Sequence, residues 1–178
     1  GQLKSITYAK NTDHEGTVSW QYHNGLLKSF TDILGNQQVY SYDHGRLMSV
    51  QSAQHGDKVS YQYYTAAESP QHAGQMKSIT YYNGKKDVLA KELTYDGFGR
   101  LQEAKTVLLS SSYKAPENQP IIRDEQYRYD DRTGNILEVK VSSTTDPSAE
   151  SNYTQHYEYN TLNQLTHSYV VVPGKGTA

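Results

Sequence analysis

Residues 25–44 read GLLKSFTDILGNQQVYSYDH, and the pattern of this stretch returns along the whole chain. Its last part, Tyr40-Ser41-Tyr42-Asp43, recurs as Tyr127-Arg128-Tyr129-Asp130 and Tyr157-Glu158-Tyr159-Asn160. Looser copies occupy residues 20–23, 61–64 and 93–96. A chain that copies itself at intervals of this length is interpreted first as a repeat architecture.

Each repeat begins with a glycine or asparagine, followed two residues later by Leu, Ile or Met. The starts lie near residues 1, 25, 45, 74, 99, 134 and 163, which gives six to seven repeats in a single domain over residues 1–178. Inserts rich in small and polar residues lengthen three repeats and predict surface loops at residues 65–73, 110–120 and 142–152. The pattern runs close to both ends, which predicts a piece of a longer repeat protein.

Each repeat predicts two strands joined by turns. Tyr40 and Tyr42 are two residues apart, so both side chains project from one face of a strand. Asn24-Gly25 is the dipeptide that best fits a two-residue hairpin, because both central residues need positive φ, and His44-Gly45 is a weaker version. No stretch shows good helical periodicity. Strands and turns that alternate about every 10–15 residues predict an all-β fold of tandem antiparallel hairpins.

The composition limits the function. The chain has 17 tyrosines, no cysteine and a net charge of −2. Dispersed charge gives no footprint for nucleic acid, and no apolar run reaches the roughly 20 residues that span a membrane as a helix. Without cysteine there is no disulfide or thiolate-metal framework. The tyrosines are therefore expected to supply the contact area that aliphatic residues supply elsewhere.

No motif indicates catalysis, a cofactor or a metal site. The seven histidines lack metal-ligand spacing, and they are interpreted as solvated turn residues. Asp43, Asp96 and Asp130 are expected to accept hydrogen bonds from turn amides two residues on. An alternative uses the aromatic faces: Trp20 and Tyr22 form the best candidate platform for a sugar ring, although aromatic pairs in every strand are also what a packed sheet needs.

These motifs resemble the RHS/YD-repeat family, whose unit runs Gly-Arg-Leu, Thr-Asp-x-x-Gly-Asn and Tyr-x-Tyr-Asp. Gly45-Arg46-Leu47, residues 31–36 and residues 40–43 match those parts, and the resemblance spans the chain to about Tyr169. It is most similar to the cocoon-forming components of insecticidal toxin complexes. The residues that carry the motif are Tyr40, Tyr42, Asp43, Tyr95, Asp96, Gly99, Arg100, Leu101, Tyr127, Tyr129, Asp130, Gly134, Tyr157 and Tyr159.

The resemblance implies a curved, spiralling antiparallel sheet that forms a segment of a hollow shell, without enzymatic activity. Such shells enclose a C-terminal toxic polypeptide until delivery, so the implied partners are the rest of the shell, the enclosed segment and other toxin-complex subunits. The implied location is secreted or at a bacterial cell surface. The alternative function is a carbohydrate- or receptor-binding module. Asp146-Pro147 lacks the glycine of the family's self-cleavage motif and is interpreted as a loop.

Overall fold

A computed structural model describes residues 1–109 and 119–174. It contains one short 3-10 turn at Pro70–His72. The strands are β1 (Ser5–Tyr8), β2 (Gly16–His23), β3 (Leu26–Thr31), β4 (Gln37–Asp43), β5 (Arg46–Ser52), β6 (Asp57–Tyr63), β7 (Met76–Asn83), β8 (Asp87–Tyr95), β9 (Leu101–Leu108), β10 (Ile121–Tyr129), β11 (Ile136–Ser142), β12 (Tyr153–Tyr159) and β13 (Leu165–Val171).

The strands follow one another in the sheet in the same order as in the chain, from β1 to β13. This arrangement confirms the predicted all-β fold of tandem antiparallel hairpins. The contacts divide the chain into two compact units, the first formed by Gly1–Gln62 with Ile79–Val88 and the second by Tyr63–Ser78 with the described part of Leu89–Ala178. The curvature of the sheet and the repeat boundaries stay predictions.

The tyrosine-bearing hairpins share one irregularity. In the β4–β5 hairpin Ser41 pairs with Ser49 but Tyr42 pairs with Leu47, so Met48 is the extra residue of a β-bulge. The bulge brings the second tyrosine opposite Leu47, the third residue of the next repeat. The same shift places Tyr22 opposite Leu27, Tyr95 opposite Leu101, Tyr129 opposite Ile136 and Tyr159 opposite Leu165.

The two shortest connections have the predicted turn geometry. Asn24 and Gly25 have φ values of 49° and 82°, and His44 and Gly45 have values of 48° and 79°. Both central residues of each turn are therefore in the left-handed region that suits the right-handed twist of the flanking strands.

The core is thin. Among the described residues the buried apolar side chains are Ala104, Val107 and Val141. The motif tyrosines Tyr40, Tyr42, Tyr95, Tyr127, Tyr129, Tyr157 and Tyr159 are all half-buried. A sheet with so little fully buried surface depends on its backbone ladders and on side-chain hydrogen bonds between hairpins.

The inserts differ in how they lie on the sheet. The insert at residues 65–73 was expected to be an exposed loop with a solvated histidine, and that expectation is wrong for His72, which is buried. The insert at residues 142–152 begins at the end of β11 and continues as a largely exposed loop that bonds mainly to itself, for example through the Asp146 carboxylate and Ser151. Most of the predicted insert at 110–120 lies outside the described residues.

Candidate functional site: the tyrosine hairpins and their turns

The second tyrosine of the motif joins neighbouring hairpins in the second compact unit. The Tyr129 hydroxyl donates to the backbone carbonyl of Leu101 at 2.7 Å, and Leu101 pairs with Tyr95 in the preceding hairpin. The same tyrosine–carbonyl bond links Tyr95 to Met76 at 2.8 Å and Tyr159 to Ile136 at 2.9 Å. In each case the acceptor lies two residues after the start of the repeat that contains the tyrosine, so in these three repeats one side chain ties two hairpins together.

Burial disfavours the phenolate form of three motif tyrosines. It raises the pKa of Tyr95, Tyr127 and Tyr129 above the ordinary value for tyrosine. A phenol with a raised pKa donates hydrogen bonds at neutral pH and is a poor base or nucleophile. The bonded hydroxyls of Tyr95 and Tyr129 therefore act as hydrogen-bond donors between hairpins.

Asp96 organises the turn that follows β8. Its Oδ1 accepts hydrogen bonds from the backbone N–H of Phe98 (2.9 Å) and of Arg100 (3.0 Å), and its Oδ2 accepts one from Arg100 Nε (2.6 Å). Burial by itself raises the pKa of Asp96, but the hydrogen bonds from Arg100 and Phe98 outweigh it and lower the pKa below its ordinary value. Asp130 has the same role, accepting from the N–H groups of Arg132 and Thr133 at 2.9 and 2.7 Å.

Two turns outside the predicted aspartate set use the same geometry. Asp32 Oδ1 accepts from the N–H groups two and four residues ahead, at 2.9 and 2.8 Å. Asn160 Oδ1 accepts from the equivalent groups at 3.0 Å each. Asp43 differs, because its carboxylate contacts the His44 ring at 2.8 Å and both side chains are largely exposed. The expected turn contact is therefore wrong for Asp43.

The residue after the starting glycine or asparagine reaches into the next turn, a contact that the sequence analysis missed. Gln75 Nε2 donates to the Gly99 carbonyl at 2.8 Å, and Gln2 Nε2 donates to the Gly25 carbonyl at 3.0 Å. Arg100 Nη1 lies 3.4 Å from the Asp130 carbonyl oxygen. A long polar side chain at the same position of several repeats was the available sequence signal.

Arg100 is held on several sides. Its guanidinium carbon lies 4.9 Å from the centre of the Phe98 ring and 4.4 Å from that of Tyr129, and its Nε is bonded to Asp96. A planar guanidinium between two rings and a carboxylate is a packing element of the turn.

His72 fixes the first insert against the next hairpin. Its Nε2 lies 2.8 Å from the Asp96 carbonyl oxygen and its Nδ1 lies 2.9 Å from Ser69 Oγ. A carbonyl only accepts, so Nε2 carries a hydrogen, and in a neutral ring Nδ1 then accepts from the serine hydroxyl. The ring also packs against Tyr64 and Tyr95, with centroids 6.0 and 5.8 Å away. His72 and its tyrosines form a small polar cluster that sequence spacing did not reveal.

The structure places the predicted sugar platform in a packed setting. Trp20 is half-buried and its ring lies 5.8 Å from that of Phe30, at an interplanar angle of 45°. Tyr22 is half-buried and opposite Leu27. A cavity of about 470 Å³ in the same compact unit is lined by Tyr40 and Tyr42. The role of Trp20 and Tyr22 in sugar binding stays a prediction.

Within residues 1–109 and 119–174 there is no cluster of three or more His, Cys, Asp or Glu side chains that could hold a metal ion. In the same part of the chain, no helix is long and apolar enough to cross a membrane.

The chain is thus a sheet of tandem antiparallel hairpins, and in three of them the second tyrosine is bonded back to a residue near the start of its own repeat. Solved structures of toxin complexes that carry RHS/YD-repeat shells have this fold, which confirms the resemblance at the level of the fold. No protein-family model matches the sequence, and a search of curated proteins finds no match.

Three of these structures define the likeness. The crystal structure of TcdB2-TccC3-Cdc42 superposes with a TM-score of 0.65 at 22% identity, covering 88% of this chain and 7% of that chain. TcdB2-TccC3 gives a TM-score of 0.63 at 22% identity, with the same coverage. The Tc holotoxin pore of Photorhabdus luminescens gives 0.53 at 18% identity, covering 91% of this chain and 9% of that chain. The chain thus spans less than a tenth of each of these proteins.

Proposed function

We propose that this chain is a segment of wall in an RHS/YD-repeat shell that encloses a toxic C-terminal polypeptide until delivery. The observation that supports the proposal most is the tyrosine–carbonyl bond repeated at Tyr95, Tyr129 and Tyr159. The bond adds a side-chain link between hairpins to the backbone ladder, which suits a thin wall with few fully buried residues. The likeness to toxin-complex structures supports the same proposal.

The wall does no chemistry of its own in this proposal. The motif aspartates Asp96 and Asp130 are engaged by turn amides, and Arg100 is engaged by a carboxylate and two rings. The partners of this wall segment are the rest of the shell, the enclosed segment and other toxin-complex subunits. Its setting is a protein secreted by, or displayed on, a bacterium.

The proposal is tested by protease protection of the sequence that follows this chain in the parent polypeptide. An engineered protease site is placed in that downstream segment and a second one in an exposed loop such as residues 142–152. We expect cleavage at the loop site while the downstream site survives until the shell is unfolded. Equal rates of cleavage at both sites in the folded protein would show that nothing is enclosed.

A second candidate function, carbohydrate binding, is favoured by the cavity of about 470 Å³ beside Tyr40 and Tyr42. His23 and Lys28 also line it, so aromatic faces and polar groups meet there as in many sugar sites. A glycan screen with the wild type and Tyr40→Ala tests this candidate. Binding that Tyr40→Ala abolishes, while Tyr127→Ala retains it, would support the cavity as a sugar site.

A further inference from the structure

The chain contains two Asn-Gly pairs in turns, and the two asparagines differ in their hydrogen bonding. Asn24-Gly25 joins β2 to β3, is exposed, and the Asn24 side chain makes no hydrogen bond to any described residue. Asn83-Gly84 begins the connection between β7 and β8, and Asn83 Oδ1 accepts from the N–H groups of Lys85 at 3.2 Å and of Lys86 at 3.1 Å.

The two glycines also differ in their surroundings. A β-carbon built on Gly84 would lie 2.7 Å from a backbone carbonyl oxygen, that of His55, so another part of the chain covers this turn. A β-carbon built on Gly25 meets nothing within 4 Å. Gly25 therefore has room for its backbone to move, whereas Gly84 is confined.

Asn-Gly is the dipeptide most open to intramolecular cyclisation, because glycine has no side chain to hinder its nitrogen. The Gly25 nitrogen attacks Cγ of Asn24, a new C–N bond closes a five-membered succinimide, and the side-chain nitrogen leaves as ammonia together with the former amide hydrogen. Water then adds to one of the two ring carbonyls and breaks its C–N bond. The products are aspartate or isoaspartate, and no oxidant or cofactor is needed.

We propose that Asn24 is a site of spontaneous deamidation and isoaspartate formation, and that the turn of Asn83 protects the second site. Isoaspartate inserts an extra methylene into the main chain of a two-residue turn whose two positive φ values set the register of β2 and β3. It also displaces the Gly25 carbonyl that accepts from Gln2 Nε2. The modification therefore destabilises the β2–β3 hairpin, which carries Trp20 and Tyr22.

The test incubates the whole chain at mildly alkaline pH and maps its proteolytic peptides by mass spectrometry, with isoaspartyl methyltransferase labelling to identify isoaspartate. We expect the Asn24 peptide to convert at least about tenfold faster than the Asn83 peptide, since two hydrogen bonds must break before Asn83 can react. The control is the same chain unfolded in urea, where both pairs should convert at one rate because only the folded turn separates them.

Equal conversion of the two sites in the folded chain would overturn the proposal, as would faster conversion at Asn83. Loss of neither amide in the folded chain, while both convert in urea, would also overturn it, because the Asn24 turn would then be as protective as that of Asn83. Trp20, the single tryptophan, lies on β2 and packs against Phe30 on β3. Its fluorescence should change in step with Asn24 conversion.

Discussion

Replacing Tyr129 by phenylalanine removes the bond that ties the β10–β11 hairpin to the preceding one and leaves the ring in place. The lost bond is 2.7 Å long and half-buried. The Leu101 carbonyl keeps its place in the ladder opposite Tyr95, and Leu101 is half-buried and not fully enclosed. We therefore expect a loss of about 1 kcal/mol of unfolding free energy, in the usual range for a neutral hydrogen bond and short of the cost of a stranded buried group.

Tyr127→Phe is the matched control. Tyr127 lies two residues away on the same strand and is also half-buried, but its hydroxyl makes no hydrogen bond to any residue the structure describes. We expect this variant to stay within about 0.5 kcal/mol of wild type. The variants are compared by urea unfolding followed by far-UV circular dichroism. The midpoints can be compared only if the dependence of the unfolding free energy on urea concentration is the same, since a change in that slope would mean that the unfolding units have changed.

Adding Tyr95→Phe and Tyr159→Phe to Tyr129→Phe extends the test. The three bonds are two strand spacings, about 10 Å, apart, so their effects should add to about 3 kcal/mol. The reasoning fails if Tyr127→Phe costs as much as Tyr129→Phe, or if the triple variant unfolds at the wild-type midpoint. Either result would mean that ring packing, and not the hydroxyl, connects the hairpins.

Three further predictions concern turns and charge. Asp96→Ala should lower the melting temperature by several degrees because three hydrogen bonds are lost, whereas Asp43→Ala should change it by no more than about 2 °C. Gly84→Ala should cost at least about 1–2 kcal/mol in a urea titration, since its φ is positive and its new methyl group meets a carbonyl, while Gly97→Ala, with open space, should be near neutral. Lys77 Nζ donates a hydrogen bond to Glu68 at 2.6 Å, which lowers the pKa of Glu68 to about 2. The Glu68–Lys77 pair therefore stabilises the fold at pH values above the ordinary carboxyl pKa and loses that contribution as the pH falls toward 2. Melting temperatures over that interval should drop less for Glu68→Gln than for wild type, and added salt should narrow the difference.

Local patterns in the sequence were enough to predict the strands. Tyrosines two residues apart fix a shared face wherever a strand forms, and Asn24-Gly25 fixes a two-residue turn, because both properties depend only on adjacent residues. The partner of the Tyr129 hydroxyl is 28 residues away. Its identity depends on how two hairpins lie side by side, which spacing within one repeat does not encode.

The sequence pattern led to wrong predictions at Asp43 and at His72. Asp43 and Asp96 both follow the second tyrosine, but Asp43 is followed by a two-residue turn, which brings no later amide within reach of its carboxylate. The longer turn after Asp96 curls the N–H groups of Phe98 and Arg100 back onto it. His72 lies in an insert of polar and small residues, and its burial comes from the neighbouring hairpin, which no local pattern could indicate.

Each strand lies beside its neighbours in sequence, and this order affects how the chain folds. Most ladders close across a short connection, and the three inserts lengthen a connection to no more than 12 residues. The entropy of loop closure at each step is therefore small, and folding is expected to be fast for an all-β protein. A hairpin can form as soon as its second strand leaves the ribosome, and the next one can add to it without waiting for distant segments. The same order lets the sheet be taken apart one strand at a time when the chain is pulled from an end, so passage through a narrow channel would meet a series of small barriers.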